Sequence, residues 1–428
     1  GLVLAPGFID THSHHDGGFA KDRTVFAAIS QGITTTVIGQ DGGSNFPLAP
    51  FLAELEKNPP AVNVASYVGH GTLRSRIMGS DYKRPADADE ILAMSALLRH
   101  ELASGALGLS SGLEYDPGIY ATTEELIALA KETGRVGGRY ISHIRSEDRS
   151  LFQAIDEIVR IGREARIPVQ VSHMKLAMKS LWGKADQLLA RLNDARASGV
   201  DVTADVYPYP YWQSTMTVLF PERDFTNRET ATFALTELTT PEGMIVSRFD
   251  PEPSYAGKTL AEIARLRNTD PVTTYIDLIA KSLAAGGDNE SIIATSMDER
   301  DIAAILLWPH ANVCSDGQSE GRHPRGYGAF TRVLRQQVRE GRLLSLEAAI
   351  EKMTRLAAAH VGLRDRGVIR EGAYADLVLF DPAAVADRAT PKAPHLPSAG
   401  IVGVWVNGAQ VYSQGKATGA LPGRVLRR

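Results

Sequence analysis

Two histidines one residue apart, in Asp10-Thr11-His12-Ser13-His14, are the first residues along the chain able to do chemistry. A strand alternates faces at every residue, so His12 and His14 point the same way, as two donors to one cation must. Three further polar residues close β-rich runs: His143 after Ser142, His173 after Ser172 and Asp316 after Ser315. Any one of these histidines reads most simply as a hydrogen-bonded structural residue. Four histidines and an aspartate on strand ends are better explained as imidazole and carboxylate donors to Zn²⁺ or another divalent ion, one or two in number. Asp41, in Gly39-Gln40-Asp41-Gly42, is either a further donor or an ordinary turn aspartate beside glycine. Asp10 either orients His12 or serves the strand interior.

Such a set implies hydrolysis. Zn²⁺ acidifies water and polarises a carbonyl oxygen, so hydroxide can attack an amide or ester. A carboxylate must carry the water's proton to the leaving nitrogen, and Asp316 is the candidate for that general base and acid role. Its alternative is a structural pairing with Arg322 or Arg325.

The elements that must position these residues recur regularly. β-Rich runs at residues 7–12, 34–39, 63–68, 107–111, 139–143, 169–173, 200–206 and 312–316 alternate with helical patterns. Eight strands alternating with helices predict an α/β fold, a (β/α)8 TIM barrel, whose strand C-termini converge on one mouth. The interval from about residue 216 to residue 307 breaks the rhythm and predicts a lid inserted after the seventh strand. Beyond residue 368 the texture becomes that of a small antiparallel β unit, with Asn407-Gly408 as one turn. The expected division is therefore barrel 1–216, lid 217–307, barrel 308–367 and β unit 368–428.

Composition narrows the partners. The 428 residues carry 46 Lys+Arg against 50 Asp+Glu, a net charge of −4, which offers no footprint for nucleic acid or an anionic membrane. Cys314 is the single cysteine, which excludes an internal disulfide and any cysteine-rich metal site. No apolar run is long enough to span a bilayer. The expected partner is a small-molecule substrate and the expected compartment the cytoplasm, with the periplasm as the alternative. Oligomeric state is left open.

Pro6-Gly7-Phe8-Ile9-Asp10-Thr11-His12-Ser13-His14 resembles the opening motif of the amidohydrolase superfamily. Val68-Gly69-His70-Gly71-Thr72, Leu113-Glu114-Tyr115, Ser142-His143-Ile144-Arg145, Ser172-His173-Met174-Lys175, Tyr207-Pro208-Tyr209, Ser315-Asp316-Gly317 and His323-Pro324-Arg325 narrow it to the D-aminoacylase (N-acyl-D-amino-acid deacylase) family. The resemblance implies zinc-dependent hydrolysis of N-acyl-D-amino acids on a barrel flanked by a small β-sandwich. It implies His12, His14, Asp41, His143 and His173 as metal ligands and Asp316 as the catalytic aspartate. Asp41 stands where familiar members carry Cys, replacing a soft thiolate by a hard carboxylate that can bridge two ions. Lys175, Tyr209 and Arg325 match substrate-binding positions, although Lys175 and Arg325 could instead be solvated charges. His70 either lines the pocket or holds the loop after the third strand. The rings of Tyr209, Tyr211 and Trp212 read as a bulky substrate's site or as packing between lid and barrel. Residues 107–111 hold no lysine, against the cyclic amidases of the superfamily; a dipeptidase or aryl-amide amidase on the same metal site is the alternative activity. An inert binding barrel would have lost a ligand or the base, and none is missing. Family members carry a further stretch before the His-x-His strand, so the chain is expected to be incomplete and the β unit at 368–428 to be part of a sandwich, short of pairing partners.

Overall fold

The computed structural model describes residues 1–428. Parallel pairing links Phe8–Asp10, Ile33–Ile38 and Asn63–Ser66 in one run of strands. A second parallel run joins Val68–Gly69, Gly108–Gly112, Arg139–His143, Val169–Val171, Val202–Val206 and Ala311–Val313. The runs meet at both edges. Leu107 N donates to Ser66 O at 2.9 Å, Asp316 N to His12 O at 2.8 Å and His14 N to Gly317 O at 2.9 Å. The result is a (β/α)8 barrel whose strands follow one another in chain order.

The strands form where the residues suit burial on both faces. All six residues of Ile33–Ile38, five of them β-branched threonine or isoleucine, are buried, as a parallel strand covered by helices requires. The helices dock by one stripe. Leu151–Ala165 buries Leu151, Ala154, Ile155, Ile158, Val159, Ile161, Gly162 and Ala165, the spacing of a single helical face. Helix starts are chemically marked: Asp87 and Glu90 cap Ala88–Leu102 reciprocally, and Thr259 and Glu262 do the same for Leu260–Arg267.

The insertion has its own antiparallel sheet, with Glu290–Thr295 between Tyr211–Ser214 and Met244–Phe249. Helices Leu260–Arg267 and Pro271–Ala284 pack beside it. It thus takes in residues 211–214, ahead of the expected start at 217. Helix Glu299–Leu307, expected in the lid, packs on helix Ala185–Ala197 and strand Ala311–Val313 and belongs to the barrel. The boundary moves because an apolar helix after a short turn looks the same from sequence whichever layer receives it.

Met216 is the joint between lid strand and lid helices. Its N–H donates to Glu290 Oε1 at 2.7 Å, and its carbonyl accepts from Tyr275 Oη at 2.6 Å. Burial raises the Glu290 carboxyl to about 7, against the partial relief of the Met216 N–H, and its Oε2 has no partner. The folded pKa lies above that of an unfolded glutamate, so folding is favoured by the protonated form and stability falls as pH rises from about 4.5 through 7. Glu290→Gln keeps the acceptor and removes the charge. It should raise Tm at pH 8 and leave it nearly unchanged at pH 4, read by thermal unfolding at both.

The small β unit is a five-stranded antiparallel sheet, in the order Val3–Pro6, Leu377–Phe380, Ile401–Val406, Ala409–Ser413 and Lys416–Ala417. Val3–Pro6 supplies a partner to the 368–428 segment that the sequence reading lacked, because its short run merges with the first barrel strand. No helix is long and apolar enough to cross a membrane.

Candidate active site

The strand ends bring His12, His14, His143, His173 and Asp316 to one mouth, and the turn after the second strand adds Asp41. That turn is held by contact with two other strands. A Cβ on Gly112 would stand 2.2 Å from Asp41 O, and one on Gly69 2.4 Å from Gly42 O, so only glycine lets the turn reach inward. Asp41, His173 and Asp316 all have positive φ, 52°, 34° and 50°. Side chains held in this sparsely populated region mark sites where geometry is imposed by the surroundings.

Two donor groups share Asp41. His12, His14, Asp41 and Asp316 form one, and Asp41, His143 and His173 the other, with the donor atoms of each within 4.8 Å of one another. Asp41 Oδ1 lies 3.4 Å from both His12 Nε2 and His173 Nε2, and Oδ2 lies 3.3 Å from His14 Nε2. His143 Nδ1 and His173 Nε2 face each other at 3.1 Å. The outer ring nitrogens are occupied: His143 Nε2 meets Glu114 Oε2 at 3.0 Å and His173 Nδ1 meets Glu147 Oε1 at 3.0 Å. Lys175 Nζ lies 2.6 Å from that same Glu147 oxygen and 2.7 Å from His173 Nδ1. An ammonium and an imidazole N–H cannot bond to each other, so both donate to Glu147. A carboxylate on the outer nitrogen leaves the inner one free to ligate, the usual arrangement behind a metal-binding histidine.

The donor set fits a divalent cation of the zinc type. His12 Nε2, Asp41 Oδ1 and Asp316 Oδ1 are buried without a hydrogen-bond partner. Each such atom costs about 1–3 kcal/mol unless something fills its coordination. The charge balance agrees. Burial opposes ionisation of Asp41 and Asp316, yet His12 and His173 hold Asp41 well below the carboxylate range, and Arg325 and His173 do so for Asp316. His14 is in turn raised to about 10, because Asp316 and Asp41 outweigh the cost of burying its charge. Positive charge is what this cluster attracts.

Arg325 donates toward Asp316 Oδ2 at 2.6 Å. This is the pairing weighed as the alternative for Asp316, and it occurs at the mouth, with Oδ1 still turned to His14 at 3.2 Å. Arg325 and Lys175 both line a cavity together with His143, His173, Asp316 and Tyr207. They also flank the Tyr207 ring, at 4.9 and 5.7 Å from its centroid.

Two expected substrate residues lie elsewhere. His70 begins the helix after the third strand, is fully buried, and meets Glu125 at 2.8 Å, a carboxylate that also binds Arg74 at 2.5 Å. It holds the loop and does not line the cavity. Glu125→Gln should destabilise by about 3–5 kcal/mol, since it strands the buried Arg74 charge, while KM stays unchanged; denaturant unfolding and steady-state kinetics check the pair. Tyr209 is 1% exposed and packs against His323, Tyr211 and Arg332. Both tyrosines lie beyond the end of strand Val202–Val206, and of the two Tyr207 is the ring lining the cavity. Of the other two rings, Trp212 lines the cavity whereas Tyr211 packs on His323. Asp10 does not touch the His12 ring; it accepts from Ser315 N at 2.8 Å and from the Ser315 hydroxyl, tying the first strand to the eighth.

An amidohydrolase family profile matches residues 311–412. Over 452 residues the chain is 39% identical to the N-acyl-D-glutamate deacylase of Alcaligenes xylosoxydans xylosoxydans, covering 100% of this chain and 87% of that protein. It is 38% identical over 453 residues to the D-aminoacylase of the same organism, covering 100% and 88%. The chain belongs to the D-aminoacylase family. The crystal structure of N-acyl-D-glutamate deacylase from Bordetella bronchiseptica, complexed with zinc and a phosphonate mimic of the tetrahedral intermediate, superposes with a TM-score of 0.90 at 37% identity, covering 100% of this chain and 90% of that one.

In this D-aminoacylase family member, three acidic residues of the site went unread from sequence. Glu114 and Glu147 sit on loops with no periodicity to point them inward. Asp205, on the seventh strand, accepts from His173 N at 2.5 Å and from Gln170 at 2.7 Å, and so fixes the bend that carries His173. Its place at a C-terminal strand end was the one available signal.

Proposed function

We propose that the protein hydrolyses the amide bond of N-acyl-D-amino acids, with a divalent ion of the zinc type held by His12, His14, Asp41, His143 and His173. The observation that carries this reading is one carboxylate, Asp41, shared by two imidazole groups, with Asp316 facing the same point. The bound ion or ions supply Lewis acidity toward the amide carbonyl and toward water. Asp316, kept ionised by Arg325, takes a proton from the attacking water through Oδ1. It then gives that proton to the amide nitrogen as the C–N bond breaks, releasing carboxylic acid and amine. Glu114 and Glu147 keep the rings of His143 and His173 in one tautomer. Lys175, Arg325 and the unpartnered hydroxyl of Tyr207 receive the substrate's α-carboxylate.

The names of the relatives support the D configuration. Kinetics on paired N-acetyl-D- and N-acetyl-L-amino acids, beside dipeptides and aryl amides, test the reading. Turnover confined to D isomers is expected; faster turnover of dipeptides or aryl amides would replace it with the alternative activity.

A further inference from the structure

A second cavity lies at the opposite end of the barrel from the donor cluster. Arg139 opens the strand that ends on His143, about 13 Å away along it, and Leu107 immediately precedes the strand Gly108–Gly112. Both line this cavity, together with the turn after helix Arg355–Val361 and the segment 424–428. That segment is held beside Asn63–Ser66: Val64 N donates to Arg424 O at 2.9 Å and Leu426 N to Val64 O at 2.7 Å. Six arginines line the cavity against one acidic residue, Asp365, in a chain whose net charge is −4. Arg366 faces Asp376 and Arg427 faces Glu56. Arg428 donates to Ala106 O at 2.8 Å, whereas Arg139, Arg364 and Arg424 face no carboxylate within 4.0 Å. Asp365 itself turns to Arg370, outside the cavity, at 3.4 Å.

The surroundings hold these cations in place. Arg366 also donates to Asn407 Oδ1 at 2.9 Å, and the Arg366 and Arg424 guanidinium groups stand 4.1 and 5.2 Å from the centroid of the Tyr374 ring. The turn is fitted to Arg139: a Cβ on Gly362, whose φ is 81°, would lie 3.0 Å from Arg139 Nε. Leu107, Val361 and Leu426 line the same cavity and lower the dielectric beside the charges. Cations converging from separate segments repel one another, and a shared anion reverses the sign of that interaction. The planar guanidinium fork matches a phosphoryl group in geometry as well as charge. One phosphate occupies one or two such forks, whereas three unpaired forks from three segments suit a longer anion. We propose that this cavity binds a small anion carrying two or more phosphoryl groups, held by Arg139, Arg364 and Arg424. The anion would sit away from the substrate and tie the fifth strand, the turn at Gly362 and the segment 424–428 together.

The test is titration calorimetry of the metal-loaded full chain with inorganic pyrophosphate, ADP and inorganic phosphate. One pyrophosphate should bind per chain, at least about 10-fold more tightly than phosphate. Tighter binding of ADP than of pyrophosphate supports the proposal with a nucleotide as the source of the diphosphate, and equal or weaker binding of ADP supports it with the inorganic anion. Arg364 and Arg424 are both exposed, so the double variant Arg364→Gln/Arg424→Gln should fold with wild-type Tm and metal content. It should bind pyrophosphate at least about 10-fold more weakly. No saturable binding below about 1 mM would show that the arginines are merely solvated. Affinity unchanged in the double variant would place the anion elsewhere, on the metal included. Either result overturns the proposal, as does phosphate binding as tightly as pyrophosphate.

Discussion

Asp316→Asn should lower kcat by about 10²–10⁴-fold, the range expected when a positioned general acid and base is lost, with metal content unchanged. The substitution is nearly isosteric and retains an oxygen toward Arg325, whose guanidinium now lies 2.6 Å from Asp316 Oδ2. What it removes is the capacity to hold a proton. Burial alone would push this carboxyl up, and Arg325 with His173 more than reverses that, holding it well below the usual carboxylate range. Steady-state kinetics together with metal analysis separate the roles. A loss of rate with metal retained supports proton transfer, whereas a rate within about threefold of wild type would remove Asp316 from that role.

The second large effect falls on metal affinity. Asp41→Asn should weaken binding by at least about 100-fold, more than the loss of a residue that only supports a ligand. Asparagine tolerates the left-handed backbone that Asp41 adopts at φ 52°, so the turn packed on Gly69 and Gly112 should keep its shape. The charge is lost from the one residue that both donor groups share. Metal retained after dialysis against a graded chelator series gives the affinity, and retention equal to wild type would show that Asp41 is a turn residue and not a donor.

The barrel and much of the site were legible because they obey short-range rules. His12, His14, His143, His173 and Asp316 follow β-rich runs directly, and barrel topology does the rest, since parallel strands end at one rim. Residues whose direction depends on packing were not legible. His70 turns away because a helix begins on it and Glu125 receives it. Tyr209 and Tyr207 are two residues apart in a Pro-containing bend, where no strand period fixes direction, and Tyr209 packs on His323 and Arg332 while Tyr207 lines the cavity. Glu114 and Glu147 reach the histidines from loops, where neither period nor propensity gives direction. Val3–Pro6 was unreadable as a separate strand because only Gly7 divides it from the first barrel strand.

Metal dependence is the point on which the account stands. The decisive measurement is the rate of N-acetyl-D-methionine hydrolysis against bound metal per chain, after chelator treatment and again after stepwise return of Zn²⁺. Activity should vanish with the metal, return with it, and be absent at every step for the L isomer. Full activity in metal-free protein, or none in protein carrying metal at the site, would contradict the account.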